Sequence, residues 1–203
     1  MKKNLLFILF FLAISVTGFT QSAEEYFNRG NVKFQARNFA GALQDYSTSI
    51  SLKPNQPQTF YNRAHAHEAL KNYAAAMEDY GQAILLNPKY AEAYLERGLL
   101  YFSRTHYKAA IADFDLAIAL KPDYAKAYNN RGLANYNLKD YRAALTDYNK
   151  ALELQPNFAD ALYNRGAAKY NLQDRTGACS DWENAQKSGN ADAGKMKAQY
   201  CRK

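Results

Sequence analysis

Residues 129–132 read NNRG, and nearly the same letters return along the chain at a fixed interval. Asn28-Arg29-Gly30, Asn62-Arg63-Ala64, Glu96-Arg97-Gly98, Asn130-Arg131-Gly132 and Asn164-Arg165-Gly166 follow one another at steps of 34 residues. An interval kept while the letters between it vary is the mark of stacked units, each placing the same contact at the same height.

With Ala23 as position 1 of a 34-residue frame, copies begin at Ala23, Pro57, Ala91, Ala125 and Ala159. Position 32 is then Pro54, Pro88, Pro122 and Pro156, and position 20 is Ala42, Ala76, Ala110, Ala144 and Ala178. Position 24 is Tyr46, Tyr80, Phe114, Tyr148 and Trp182, while position 4 is Tyr26, Phe60, Tyr94, Tyr128 and Leu162. Apolar residues such as Ala110, Ile111, Phe114, Ala117, Ile118 and Leu120 recur at three- and four-residue spacing, which lines one face of a helix. Positions 1–14 and 17–30 therefore read as two helices joined by a short turn. The proline at position 32 ends the second, since it lacks an N–H and disfavours helical geometry before it.

A period of 34 with small residues at positions 8 and 20, aromatics at 4 and 24 and proline at 32 resembles the tetratricopeptide repeat. The resemblance spans residues 23–192 as five repeats, 23–56, 57–90, 91–124, 125–158 and 159–192, and a capping helix is expected over 193–203. It implies an all-α fold, a right-handed α-solenoid of antiparallel helix hairpins. One departure is systematic: the family pattern has tryptophan at position 4 and leucine at 7, whereas here position 4 is mostly tyrosine or phenylalanine and position 7 is always arginine.

In a hairpin that turns near position 15, residues whose positions sum to about 30 lie level. Position 8 then faces position 20, so a small residue is expected to meet alanine where the backbones approach. Position 7 faces position 23, which is Asp45, Asp79, Asp113, Asp147 and Asp181. Arginine and aspartate are thus expected to pair across every hairpin, and both serve the fold.

Residues 1–22 have a different character. Lys2 and Lys3 precede an apolar run from Leu5 to Val16, short for a bilayer span and suited to a secretory signal, with cleavage expected after Thr20 or Ala23. An uncleaved anchor is the alternative. The chain carries a formal net charge of +7 with its basic residues scattered singly, so a nucleic-acid groove or polybasic membrane patch is not indicated. A periplasmic or secreted protein without stable membrane insertion is expected.

The family binds through the concave face built by the first helices, chiefly at positions 2, 5, 6, 9, 12 and 13. Here position 6 offers Asn28, Asn62, Asn130 and Asn164, interrupted by Glu96. Each carboxamide has a donor and an acceptor, so the row can pair with an extended peptide backbone; it is similar to the ladder in the superhelix of the O-linked N-acetylglucosamine transferase. Bonding only to neighbouring helices is the alternative. Aromatics at positions 5 and 12, Phe27, Tyr61, Phe102, Tyr136 and Tyr170, are candidate contacts beside them. Glu24, Glu68, Glu92, Glu96 and Asp160 oppose Lys126 alone at concave positions, which predicts a mildly acidic groove. The lysine of the family's carboxylate clamp is absent, Phe27 standing in its place.

No catalytic residue, cofactor or metal ligand set emerges: His65 and His67 point to different helix faces, His106 lies in a turn, and no phosphate loop or nucleophile motif is present. Cys179 and Cys201 lie level about a turn at residue 190, which predicts a disulfide in an oxidising compartment, two free thiols being the alternative. The segment Gly177–Trp182 resembles the ending of small secreted bacterial repeat proteins. The expectation is a monomeric, non-catalytic module that binds a protein or peptide, the alternative being an accessory subunit of an envelope complex acting through self-assembly.

Overall fold

The structure, a computed structural model, describes residues 21–201, so the expected leader lies almost wholly outside the described residues. Eleven α-helices and no strand make up the described part. The first helices of the five repeats are α1 (Ala23–Gln35), α3 (Pro57–Ala69), α5 (Ala91–Ser103), α7 (Ala125–Asn137) and α9 (Ala159–Asn171). Their second helices are α2 (Phe39–Leu52), α4 (Tyr73–Leu86), α6 (Tyr107–Leu120), α8 (Tyr141–Leu154) and α10 (Arg175–Lys187), and α11 (Ala191–Tyr200) closes the array. Each helix packs on the next in sequence, and the first helices α1 and α3, α5 and α7, and α7 and α9 also touch. This is an α-solenoid, in which a repeat contacts only its neighbours.

Local chemistry sets the helix ends. Ser22 and Glu25 form a capping box at the start of α1, and the carboxamide or carboxylate of Asn38, Asp140 and Asp174 caps α2, α8 and α10. Position 15 of every repeat turns the chain through the left-handed region although none is glycine: φ is 59° at Arg37, 62° at Lys71, 61° at Thr105, 65° at Lys139 and 67° at Gln173. The cap helix begins at Ala191 rather than at 193, because Asn190 accepts from Ala193 N and starts it there.

The core runs along the seam between helices. Alanines at position 20 are fully buried, as is the ring at position 24 in each copy. The position 8 glycine has that ring as its nearest neighbour, ahead of the expected alanine. A Cβ on Gly30, Gly98, Gly132 or Gly166 would stand 2.6–2.8 Å from Tyr46, Phe114, Tyr148 or Trp182, so the glycine is the floor on which the large ring lies. Level pairing places the right helices together but overlooks that the longer side chain reaches past its own level.

Arginine and aspartate do pair in all five hairpins. Arg63 Nε and Nη2 donate to Asp79 at 2.8 and 2.7 Å, and Arg29–Asp45, Arg97–Asp113, Arg131–Asp147 and Arg165–Asp181 repeat the contact. The guanidinium also lies over the position 4 ring, 4.6 Å from the centroid of Tyr26 and 5.5–5.8 Å from those of Phe60, Tyr94 and Tyr128. Tyrosine or phenylalanine at 4 and arginine at 7 thus form one cation–π unit, which accounts for the joint departure from the family pattern.

The remaining nitrogen of that arginine reaches back to position 25 of the preceding repeat. Arg63 Nη1 donates to Ser47 at 3.1 Å, Arg131 Nη1 to Asp115 at 2.6 Å and Arg165 Nη1 to Asn149 at 2.9 Å, while Arg29, at the start of the array, uses Gln21 at 2.8 Å. Between repeats two and three position 25 is Gly81, and Arg97 finds no side chain there. At this junction α4 packs on α5 less extensively than the other second helices pack on the first helices that follow them.

Candidate functional site

The concave face is formed by successive first helices, and its polar groups are tied into short networks. Asn31, at position 9, accepts at Oδ1 from Tyr46 Oη and from Asn62 Nδ2, each at 2.8 Å, and Asn62 Oδ1 in turn accepts from Gln58 at 3.1 Å. In the next repeat Tyr80 Oη donates to Glu68 Oε2 and lies 3.0 Å from His65 Nδ1. Near the other end Asn164 Nδ2 donates to Asn129 Oδ1 at 3.1 Å. Burial pushes the Tyr46 phenol up to about 12 and also raises Tyr61 and Tyr80, so these hydroxyls stay protonated at neutral pH.

The asparagine row therefore divides. Asn62 and Asn164 use their amide nitrogens to join neighbouring repeats. Asn28 and Asn130 make no side-chain hydrogen bond among the described residues, Asn28 being exposed and Asn130 partly so.

The aromatic candidates divide similarly. Phe27 packs on Tyr46 at 6.1 Å, Phe102 on Tyr107 at 5.3 Å and Tyr136 on Tyr141 at 5.2 Å, which makes these rings part of their own hairpins, each only partly buried. Tyr61 stands against His65 at 4.6 Å and Tyr90 at 4.9 Å. Tyr170 is the most exposed of the set at 38 % and lies on Tyr200 of the cap.

Two of the five acidic residues have a lysine partner. Lys121 lies 3.7 Å from Glu92 and Lys126 3.4 Å from Glu96, and Asp160 accepts from Asn190 at 3.1 Å. Lys121 also sits over the ring of Tyr124 at 4.6 Å. Lys121 thus adds one positive charge that the concave positions of the frame do not contain, because it reaches Glu92 from the connection between helices, while Asn190 is a neutral donor and leaves the charge of Asp160 in place.

Several hollows open between first helices, and the start of α1 faces the start of α3 across one of 780 Å³ that Glu24, Phe27, Asn28, Gln58 and Thr59 line. One of 290 Å³ is lined by Asn31, Phe34, Gln35, Tyr46, Asn62 and His65. Another of 410 Å³ lies at the junction of repeats two and three, among Glu68, Tyr73, Glu96, Leu99 and Arg104. Asn31 and His65 stand at position 9, one of the concave positions of the frame, but are not among the peptide-binding residues expected from the sequence. Their signal is the pairing of position 9 with position 24, since a polar residue at 9 accompanies tyrosine at 24 in the first two repeats.

Models described as tetratricopeptide repeat match residues 27–91, 65–128 and 125–158 of the chain. The chain is a tetratricopeptide repeat protein. No curated protein matches it. Among solved structures it is similar to MamA, at 26% identity and a TM-score of 0.74 over 84% of this chain and 97% of that one. It shares its fold with YrrB at 19% identity, TM-score 0.74, covering 88% of this chain and 92% of that one. The same holds for pilF of Pseudomonas aeruginosa at 16% identity, TM-score 0.75, with 88% of each chain covered.

In this tetratricopeptide protein the last repeat is clamped to its cap. Cys179 and Cys201 form a disulfide with Cα atoms 5.7 Å apart, Arg175 Nε donates to Tyr200 O at 2.6 Å, and the Tyr200 ring lies against Tyr170 and Trp182. Among the described residues no group of three or more His, Cys, Asp or Glu side chains is placed to hold a metal ion, and no helix is long and apolar enough to cross a membrane.

Proposed function

We propose that this protein is an exported, non-catalytic scaffold module that holds an extended segment of a protein partner along its concave face. The observation that carries the reading is the contrast between two kinds of polar group in the repeats. The arginine at position 7 and the aspartate at position 23 are used up within and between hairpins, whereas Asn28 and Asn130 stand unpartnered among the described residues on the concave side, Asn28 lining a hollow of 780 Å³ together with Phe27. Polar groups that the fold does not use, set among apolar ones, suit recognition of a peptide. YrrB, which shares the fold, is described as a tetratricopeptide protein with an unusual peptide-binding site. Export rests on the leader at residues 1–22 and agrees with the disulfide. Ser22 caps α1 and Gln21 bonds Arg29, so of the two expected cleavage sites the one after Thr20 spares both contacts.

Selection of random peptides on the chain from Gln21 onwards, followed by titration against variants, tests the binding reading. Asn28→Ala with Asn130→Ala should weaken selected peptides by about tenfold or more, the loss of one or two hydrogen bonds, while the melting temperature stays close to that of the parent. Binding that ignores this pair and Tyr170→Ala, but is lost on changing Leu85 and Leu116 of the second helices, would move the site to the other face; these leucines are 72 % and 45 % exposed. Mass spectrometry of the exported protein should find Gln21 at its start, and retention of Met1 would remove the signal reading.

A further inference from the structure

The hollow between the first two repeats carries polar groups whose orientation the fold dictates. Asn31 Oδ1 already accepts two hydrogen bonds, from Tyr46 and Asn62, so the carboxamide is held with its Nδ2 on the other side. That nitrogen has no partner among the described residues. Tyr80 has one hydroxyl hydrogen, and it goes to Glu68. Its contact with His65 Nδ1 at 3.0 Å is therefore a bond in which the histidine donates. The Nδ1–H also faces Glu68 Oε2 at 3.4 Å, so the tautomer that this geometry selects carries its hydrogen on Nδ1 and leaves Nε2, likewise without a partner among the described residues, as the acceptor.

Asn31 and His65 both line the 290 Å³ hollow, together with Phe34 and Gln35. Its lining side chains therefore carry one donor and one acceptor that the fold leaves unused, beside an aromatic wall, with Tyr61 standing edge-on to the imidazole at 4.6 Å. An amide, with one C=O and at least one N–H, complements that pair, whereas a carboxylate lacks the donor and an ammonium the acceptor. We propose that this hollow is an amide-recognition subsite, in which Asn31 Nδ2 donates to the carbonyl and His65 Nε2 accepts the N–H of a peptide group or of an asparagine or glutamine side chain. Asn62, Tyr46 and Tyr80 act as positioning residues. The subsite rests on the peptide-binding reading above and deepens it, assigning the work at this end of the groove to position 9 rather than to position 6. The chain repeats part of the device: Asn164 likewise donates to Asn129, which is buried to 6 % exposure.

The probes are acetyl-trialanine N-methylamide, which offers backbone-type amides alone, and acetyl-Ala-Gln-Ala N-methylamide, which adds a side-chain carboxamide. Each is titrated into nitrogen-15-labelled protein from Gln21 onwards, and the side-chain resonances of Asn31 and His65 are followed. A saturable shift at both residues, absent at Asn137, supports the subsite. A shift with both probes at similar affinity assigns a backbone group, and one roughly fivefold or more stronger with the glutamine peptide, as one added hydrogen bond would give, assigns the side chain. Asn31→Asp keeps the oxygen that Tyr46 and Asn62 use and removes the donor, so it should abolish saturation with little change in melting. His65→Leu should act alike and is compatible with the fold, since Leu99 and Leu133 occupy position 9 in later repeats. No saturable shift with either probe, or saturation that survives both substitutions, overturns the proposal. If selected peptides still depend on Asn28 and Asn130 in that event, the groove reading stands and only this subsite falls.

Discussion

Residue by residue, the repeats differ most where position 9 meets position 24. Asn31 accepts from Tyr46 and His65 bonds Tyr80, but Leu133 offers nothing to Tyr148, whose hydroxyl is buried with no partner among the described residues. A buried unpaired hydroxyl costs about 1–3 kcal/mol, while a made hydrogen bond contributes about 1 kcal/mol. Tyr148→Phe should therefore leave stability unchanged or raise it, and Tyr46→Phe should lower it by about 1 kcal/mol, as read from denaturant midpoints; equal losses in both would contradict the assignment. Position 11 supplies a second such contrast, because it adds a further neighbour to the carboxylate of position 23. Lys33 lies 2.7 Å from Asp45 and Lys169 2.8 Å from Asp181, whereas His67 Nε2 stands 3.8 Å from Asp79 and its Nδ1 is buried without a partner among the described residues. Burial pulls the His67 imidazole below its usual value, with Arg63 acting the same way against the attraction of Asp79. The folded state then binds fewer protons than the unfolded one, so stability is full above the ordinary histidine range, about 6.5, and falls as pH drops through the lowered folded value. The melting temperature should decline as pH falls from about 7.5 to about 5, and less so in His67→Asn, which copies Asn135 of the fourth repeat; parallel profiles would show that His67 does not govern the slope.

Among the elements, the hairpin turn is where sequence and conformation disagree. Five different side chains, Arg37, Lys71, Thr105, Lys139 and Gln173, take positive φ at position 15, and none advertises it. Thr105 is the least suited, being β-branched. Left-handed geometry costs an L residue about 1–2 kcal/mol, and the extra freedom of glycine in the unfolded chain returns about half of that gain. Thr105→Gly should thus stabilise by about 0.5–1 kcal/mol, and a loss in thermal or chemical denaturation would mean that the threonine makes contacts worth more than its strain. The helices were legible from period and capping residues, with α2, α4, α6 and α8 all spanning positions 17–30. The turn geometry was not, because any residue can be forced into it once two packed helices fix both ends.

Over the whole array, stability is a sum over repeats and the junctions between them. The junction at Gly81 lacks the arginine bond that the others have, and a Cβ there would meet Arg97 Nη1 at 3.9 Å, an ordinary contact. Gly81→Asn should supply the missing acceptor and a better helix residue, adding about 1–2 kcal/mol in chemical denaturation; no gain would show that the junction is limited by packing and not by the bond. The far end is closed by the disulfide, whose cysteines are 22 residues apart. Its reduction should cost about 3 kcal/mol and loosen α11 first, visible as a change in the fluorescence of Trp182, which lies against Tyr200 of that helix. An unchanged emission on reduction would mean that packing alone holds the cap. One dimension was enough to read the repeat, its helix pairs, the arginine–aspartate contacts and the cysteine bridge, because each depends on period and level placement, which survive projection onto a line. Which asparagines are free was decided only in three dimensions. Asn28, Asn62, Asn130 and Asn164 are the same letter at the same position, yet Asn62 finds Asn31 and Asn164 finds Asn129 in the repeat before, and the other two find nothing among the described residues. A hydrogen bond between repeats depends on what the neighbouring helix presents within about 3 Å, and a single frame of 34 positions does not contain that distance.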